Sequence, residues 1–115
     1  MNREKERMLS GKLYQGNAEE LVAERAEAKK KCFEINNISP EKSHEIMQKV
    51  RELFGETGEN TSVKTPIMCD YGYNISLGEN SFINHDCIFL DIGKVKIGKN
   101  VLIGPRVSFL AVNHP

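Results

Sequence analysis

Histidine is the side chain best suited to proton transfer near neutral pH, because its unperturbed pKa is about 6.5. The chain has three histidines: His44, His85 and His114. His44 lies in a charged segment, which predicts a solvated side chain. His85 follows Asn84 at a predicted turn, where we expect an exposed side chain or, as an alternative, contact with a neighbouring subunit. His114 is the candidate general base, against the alternative of an exposed turn residue before a proline.

The cysteines favour a structural interpretation. Three is an odd number, and Cys32, Cys69 and Cys87 stand in no metal-ligand spacing, which indicates reduced thiols in a cytoplasmic protein. Cys87 occupies a position predicted to point into the core. Cys32 belongs to the apolar side of a predicted helix, and Cys69 has no basic partner nearby in sequence that would favour a reactive thiolate.

Short apolar residues return every six positions between Leu77 and Phe109. Four hexads each open with Leu or Ile and carry a small or β-branched residue in the fifth place. They cover residues 77–82, 83–88, 97–102 and 103–108. This period is typical of a parallel β-helix, whose stacked coils place both positions in one apolar column. The same frame predicts solvent-facing side chains at Glu79, Lys99 and Arg106. The alternative interpretation is an antiparallel sheet with glycine turns.

The repeat has one interruption and an abrupt end. From Ile83 to Ile97 is fourteen residues, or two hexads plus two, which predicts a bulge or small loop near residues 91–94. After about three coils the last rungs present an open parallel edge, and solenoids need a terminal cap. The sequence therefore predicts either that another subunit covers this edge or that the chain is a shortened version of a longer protein.

Two helices are predicted in the first part of the chain. One covers residues 2–10, with Asn2 as its N-cap and Gly11 as its end. The next starts at Asn17, which could form a capping box with Glu20, and fades at residues 36–37. Its predicted buried side consists of Leu21, Val22, Ala28, Cys32 and Phe33.

A third helix is predicted to begin at the cap Ser39, with Pro40 in the first helical position, and to end at Gly55. Its apolar residues fall at helical spacing, which predicts one buried face. They are Ile46, Met47, Val50, Leu53 and Phe54. Residues 56–60 then turn to Gly, Thr, Asn and Glu, so we predict a helical unit at 1–58 and a β-helix at 59–115.

The charge balance argues against nucleic acid or a membrane surface as partner. Basic and acidic side chains number 16 each, which leaves no net field to concentrate a polyanion. The N-terminus has no apolar core of a signal peptide, and no stretch approaches the ~18 apolar residues of a membrane span. These features predict a soluble protein of the cytoplasm.

With four features in this order, the chain resembles the maltose, galactoside and nodulation-type O-acetyltransferases. These are the helical unit, the motif at residues 70–75, the hexads that follow, and the closing Asn-His-Pro at 113–115. Residues 4–14 also resemble the opening of that family's maltose-acetyltransferase region. The resemblance implies a mainly β fold with α, a left-handed parallel β-helix preceded by a small helical unit. It also implies a homotrimer that binds acetyl-CoA and a sugar acceptor in clefts between subunits, without a metal.

The same resemblance implies the site residues. His114 matches the family's catalytic histidine and Asn84 an asparagine of the acceptor site. Asp91 resembles an acidic position beside that site, Phe82 stands where relatives have an aromatic, and Arg25 falls where the family has an arginine at the sugar. Relatives carry an aspartate where this chain has Gly-Asn-Ala at 16–18, which leaves the acceptor sugar open.

The resemblance also implies where acetyl-CoA binds. Family members continue past the His-Pro through further coils, and these coils supply most of the CoA-binding surface. The cofactor-binding residues are therefore expected mostly beyond Pro115, and none is identified within the chain.

Two other functions are compatible with the same sequence. A non-catalytic remnant would fold and oligomerise without holding CoA. A β-helix hydratase would bind zinc through histidines at a subunit interface, for which His85 and His114 are available.

Overall fold

Three helices open the chain. The structure, a computed structural model, describes residues 3–11, 15–16 and 18–112. The helices are α1 (Arg3–Leu9), α2 (Glu19–Asn36) and α3 (Ser43–Leu53). No described helix is both long and apolar enough to cross a membrane.

The predicted starts of the second and third helices are wrong. Helix α2 begins after Ala18, which has no side-chain group to cap it, rather than after Asn17, which lies outside the described residues. Helix α3 begins after Lys42. Ser39 does not cap it, because its hydroxyl donates to the Glu41 carboxylate and its carbonyl accepts from the Lys42 N–H in a separate turn.

Nine short strands follow and form three parallel three-stranded sheets. They are β1 (Glu56–Thr57), β2 (Ser62–Val63), β3 (Ile67–Cys69), β4 (Ile75–Leu77), β5 (Phe82–Ile83), β6 (Cys87–Leu90), β7 (Val95–Ile97), β8 (Leu102–Ile103) and β9 (Ser108–Leu110). The first sheet contains β1-β4-β7, the second β2-β5-β8 and the third β3-β6-β9. This topology confirms the parallel β-helix and contradicts the antiparallel alternative. The first strand, β1, lies just before residue 59, where the β-helix was predicted to begin.

Each coil advances the chain by twenty residues. Thr57 pairs with Leu77, and Leu77 pairs with Ile97. Three six-residue sides account for eighteen of these residues. The other two lie in the corner between the third and first sheets, where residues 91–94 form the predicted turn between β6 and β7. This corner is therefore wider than the other two.

The interior column follows the hexad prediction. Leu77, Ser81, Ile83 and Cys87 are all buried. Phe89 fills the centre of the third sheet's inner side and stacks on Phe109 of the next coil, with ring centroids 4.7 Å apart and an interplanar angle of 3°. Burial of aliphatic and aromatic side chains supplies the main stabilisation of such a stack.

Helix α3 buries the predicted face, but α2 does not. Leu21, Ala28 and Cys32 are buried as predicted, and Ile35 completes their row. Val22 and Phe33 were predicted to be buried and are instead 46% and 69% exposed. Each is one residue, or about 100° around the helix, away from the buried row, so a single helix face cannot include them.

The helical unit covers the first coil of the β-helix. Asn36 at the end of α2 acts as a substitute strand: its Nδ2 donates to the Ile67 carbonyl at 2.8 Å, and its Oδ1 accepts the Ile67 N–H at 2.9 Å. On α3, the Met47 sulfur accepts the N–H of Val63 at 3.2 Å. Backbone groups that an open sheet edge would leave unpaired are thus satisfied by side chains.

Candidate functional site

The corner between the second and third sheets carries two of the predicted site residues. Phe82 lies on β5 and is half-buried, and Asn84 follows two residues later, where the coil turns toward β6. The Asn84 Oδ1 accepts the backbone N–H of His85 at 2.8 Å. The backbone N–H of Asn84 donates to the carbonyl oxygen of Ile103 in the next coil at 3.0 Å. The bond from His85 engages the Asn84 side-chain oxygen, so the side-chain NH₂ group is the part suited to an acceptor hydroxyl.

His85 is exposed, as predicted, and is tied to the preceding coil. Its Nδ1 lies 2.7 Å from the carbonyl oxygen of Thr65. Because a carbonyl only accepts hydrogen bonds, Nδ1 carries the proton and the neutral ring has its lone pair on Nε2. This contact fixes the tautomer and orientation of His85 beside Asn84.

The corner between the third and first sheets holds Asp91, which is fully buried. Its Oδ1 accepts the N–H groups of Asp70 and Tyr71 at 3.0 and 2.9 Å, and its Oδ2 accepts that of Gly72 at 2.7 Å. Burial raises the pKa of Asp91, and the backbone donors partly offset that effect. The carboxylate therefore holds together the equivalent turn of the preceding coil, and its contact with an acceptor stays a prediction.

Arg25 approaches the same corner from α2. Its Nη1 donates to the Tyr71 hydroxyl at 2.7 Å and its Nη2 to the Gly16 carbonyl at 2.5 Å. Asp70 is half-buried next to them. Burial raises the pKa of the Asp70 carboxyl, while the positive charges of Arg25 and Lys29 act in the opposite direction. An arginine held by a tyrosine beside a carboxylate can donate several hydrogen bonds to a polyhydroxylated ligand.

Sequence reasoning missed the tyrosines that support this corner. Tyr73 donates to Glu24 at 2.9 Å, and Lys5 lies 4.3 Å above its ring. Burial and the hydrogen bond to Glu24 raise the pKa of Tyr73, so it stays a neutral donor. The only sequence signal was the motif at residues 70–75, which carried the resemblance without indicating which helix its tyrosines contact.

One chain does not bring all the predicted site residues together. Phe82 and Asn84 share one corner, whereas Arg25 and Asp91 share another, at the opposite ends of the third sheet's strands. A groove of about 430 Å³ runs along the outward side of that sheet. Within the described residues, no three His, Cys, Asp or Glu side chains lie close enough together to hold a metal ion.

The predicted base is the next-to-last residue of the chain, and the predicted CoA site lies mostly beyond Pro115. His114 and Pro115 lie outside the described residues. The role of His114 therefore stays a prediction. The expectation that most of the CoA-binding surface lies beyond Pro115 stays one as well.

Comparison with known proteins gives the same picture along the whole chain. Residues 7–58 match the maltose acetyltransferase hexapeptide capping motif. The crystal structure of a maltose O-acetyltransferase from Clostridium difficile 630 is 47% identical, with a TM-score of 0.94 over 97% of this chain and 60% of that one. The chain belongs to the hexapeptide-repeat acetyltransferases.

Two further relatives extend the comparison. A Vibrio cholerae hexapeptide-repeat acetyltransferase complexed with acetyl-CoA is 37% identical, with a TM-score of 0.82 over 91% of this chain and 56% of that one. A proposed acetyltransferase of Saccharomyces cerevisiae is 40% identical over 111 residues, 96% of this chain and 57% of its own length. The chain thus spans a little over half the length of these relatives.

These comparisons confirm the predicted family, and membership of that family confirms the predicted fold. The hexapeptide-repeat fold is the left-handed parallel β-helix, and the three parallel sheets of short strands agree with it. The matched capping motif includes α2 and α3, which pack on the first coil. In this structure these helices cap the β-helix through the hydrogen bonds of Asn36 and Met47 to the backbone of the first coil.

Proposed function

We propose that the protein transfers the acetyl group of acetyl-CoA to a hydroxyl of a sugar of the maltose, glucose or galactoside type. The similarity to the Clostridium difficile maltose O-acetyltransferase carries this proposal. Acetyl-CoA bound to the Vibrio cholerae relative supports the choice of donor, which is a substrate and not a resident cofactor. No metal is needed for this reaction.

The proposed base is His114. A neutral imidazole removes the proton of the acceptor hydroxyl while the oxygen attacks the thioester carbonyl. The tetrahedral intermediate then collapses, the C–S bond breaks, and the CoA sulfur leaves and takes up the proton. The acetyl group passes directly to the sugar, and no acetylated enzyme forms.

In this proposal the acceptor lies between two subunits. Phe82 and Asn84 of one chain would contact one side of the sugar, with Asn84 donating to a hydroxyl oxygen. Arg25 of the neighbouring chain would contact the other side, at the corner that Asp91 holds in shape. We propose this arrangement because the two corners lie at opposite ends of the third sheet's strands within a single chain.

The outward faces of the sheets support a homotrimer. The second sheet exposes Leu102 and the third exposes Met68 and Ile88, whereas the first sheet presents Glu56 and Lys96. A cyclic assembly needs two different faces on each subunit, one for each neighbour. The two apolar faces would be these contacts, and the charged face would stay in solvent. We place the trimer in the cytoplasm, where its free thiols remain reduced.

The direct test is acetyl transfer by the purified natural protein. Acetyl-CoA is supplied with maltose, glucose or a galactoside, and thiol release is followed together with the mass of the sugar. We expect acetyl-CoA-dependent addition of one acetyl group to at least one of these sugars. An acceptor-free reaction controls for thioester hydrolysis. Thiol release without an acetylated sugar, or no release with any of them, would contradict the proposal.

A further inference from the structure

Two thiols meet where the helical unit contacts the β-helix. Cys32 lies on α2 and Cys69 on β3, and their sulfur atoms are 3.6 Å apart. Both side chains are buried, with relative exposures of 0% and 1%. Neither belongs to the proposed acceptor site. The pair lies at the packing of α2 against β3, which is the main contact between the capping helices and the first coil.

The two thiols differ in their readiness to ionise. The hydrogen bond with the Cys69 thiol lowers the pKa of Cys32. The same hydrogen bond, together with burial, raises the pKa of Cys69. When one thiol of this pair ionises, these shifts put the charge on Cys32 and leave the proton on Cys69, which then donates to the thiolate. Such an asymmetric pair contains both a nucleophile and a resolving thiol.

We propose that Cys32 and Cys69 are an oxidative modification site, at which a peroxide converts the two thiols into a disulfide between the capping unit and the β-helix. The Cys32 thiolate attacks one peroxide oxygen, the O–O bond breaks, and Cys32 becomes a sulfenic acid as the first water leaves. The Cys69 sulfur then attacks the Cys32 sulfur, the S–O bond breaks, and the second water leaves. The thiols lose two electrons and two protons, and one peroxide is reduced to two waters.

The two sulfur atoms lie close to, but not within, the distance of a disulfide bond. A disulfide has an S–S distance of about 2.05 Å, so the sulfur atoms must approach by about 1.5 Å for the bond to form. The third thiol is not a competitor. Cys87 lies on β6, and its sulfur contacts the carbonyl oxygen of Gly104 at 3.4 Å. Two thiols are also too few for the four-ligand zinc site that closely spaced cysteines otherwise indicate.

The bond would change how the cap behaves. It joins residues 37 positions apart, so it restricts the unfolded chain and prevents α2 from separating from the first coil. Because both sulfur atoms are shielded from solvent, the peroxide gains access when the helices move away from β3. Oxidation would therefore be slow and reversible by a dithiol. Once formed, the disulfide would protect the packing of α2 on the first coil against unfolding.

Peptide mass spectrometry tests the proposal directly. The natural protein is treated with hydrogen peroxide, denatured in N-ethylmaleimide and digested without reduction. We expect a linked pair of peptides containing Cys32 and Cys69, two hydrogens lighter than the sum of the two, with Cys87 alkylated. Dithiothreitol should remove the link. Equal alkylation of Cys32 and Cys69 before and after peroxide, or a link that involves Cys87, would overturn the proposal.

Thermal unfolding supplies a second measurement. The linked protein should melt about 5 °C or more above the reduced protein. Cys32→Ala and Cys69→Ala should each abolish this rise, whereas Cys87→Ala, also a buried thiol, should retain it. If a variant does not fold, the peptide measurement on the unaltered protein still decides. No difference in melting between the oxidised and reduced protein would count against a bond at this contact.

Discussion

At the scale of single residues, Asp91 shows how a site-like residue can serve the backbone. A fully buried carboxylate is costly unless its oxygens are engaged, and here three consecutive N–H groups of the turn at residues 70–72 engage them. That turn also carries Tyr71, which binds Arg25. Asp91 thus determines where the arginine side of the proposed site lies, whether or not it touches a ligand.

The Asp91→Asn variant should be clearly destabilised. An amide keeps one acceptor oxygen but places an NH₂ group against an N–H donor, so the loss in unfolding free energy should be about 2–3 kcal/mol. Urea denaturation measures it. Asp86→Asn is the matched control, because Asp86 is exposed and its ion pair with the Arg106 guanidinium is long at 4.0 Å. This variant should change the unfolding free energy little. Equal stability of the two variants would contradict the role given to Asp91.

The effect of Asp91 should also depend on pH. Burial raises the pKa of the folded carboxyl above its ordinary value of 3.8, so the folded state binds the proton more tightly than the unfolded state. The stability that results is present in full below that value and decreases as the pH rises through the folded pKa. The loss of unfolding free energy caused by Asp91→Asn, measured by urea denaturation, should therefore be larger near pH 4 than at pH 7. A difference that grows with pH would refute this.

His114→Ala should reduce acetyl transfer without loss of the fold. Removal of a general base lowers kcat by about 10²–10⁴-fold, with a smaller change in the KM for acetyl-CoA. His44→Ala is the control, because His44 is an exposed residue on α3 and should leave turnover unchanged. Steady-state kinetics of both variants of the natural protein provide the measurement. Near-normal turnover in His114→Ala would require a different base.

At the scale of elements, successive coils of the β-helix approach each other closely at the corner between the first and second sheets. A Cβ added at Gly78 would lie 2.5 Å from the carbonyl carbon and oxygen of Gly98, one coil further on. Gly58 is in the same position relative to Gly78 and Glu79. This repeated glycine lets the turns between the first and second sheets stack at backbone distance, a close approach that no other residue permits.

Gly78→Ala should accordingly destabilise the protein by about 2–3 kcal/mol, because backbone atoms of two coils must separate to admit the methyl group. Gly93→Ala is the matched control. A Cβ at Gly93 would meet its nearest atom, the Ala111 oxygen, at 3.3 Å, which a small adjustment accommodates. Chemical denaturation of both variants tests the difference, and similar stabilities would show that the coils are not as tightly stacked as described.

At the scale of the whole molecule, the distribution of apolar surface supports the proposed homotrimer. Leu102 is 79% exposed and Leu110 66% exposed, on the second and third sheets respectively. Large exposed side chains of this kind, grouped on two adjacent faces, are typical of subunit contacts. The charged outward side of the first sheet provides the contrast within the same protein.

Leu102→Glu should therefore convert the proposed trimer into monomers while the fold is kept, because the side chain makes few contacts within its own chain. Sedimentation velocity at micromolar concentration gives the oligomeric state, and circular dichroism the fold. Lys96→Glu, a change at an exposed residue of the first sheet, should leave the assembly intact. A Leu102→Glu protein that sediments like the unaltered one would place the contact elsewhere or exclude it.

The sequence by itself determined the β-helix and its interior. Stacking forces each inward position to recur at the length of one side, so the hexads identified Leu77, Ile83 and Cys87 as core without any knowledge of partners. The extra pair of residues before Ile97 likewise predicted the wide corner. Local residue type also suits two of the turns: Asn80 and Asn100 adopt φ of 60° and 58°, a conformation that asparagine tolerates better than most residues.

Only the tertiary structure decided which helix face is buried and which distant groups meet. Val22 and Phe33 read as core because apolarity alone does not state which side of α2 faces β3. Asp91 binds a turn about twenty residues earlier, and Cys32 meets Cys69 across 37 residues. Such contacts depend on the twenty-residue register of the coils and on the placement of α2 on them, which are set by packing of the complete fold rather than by any local pattern.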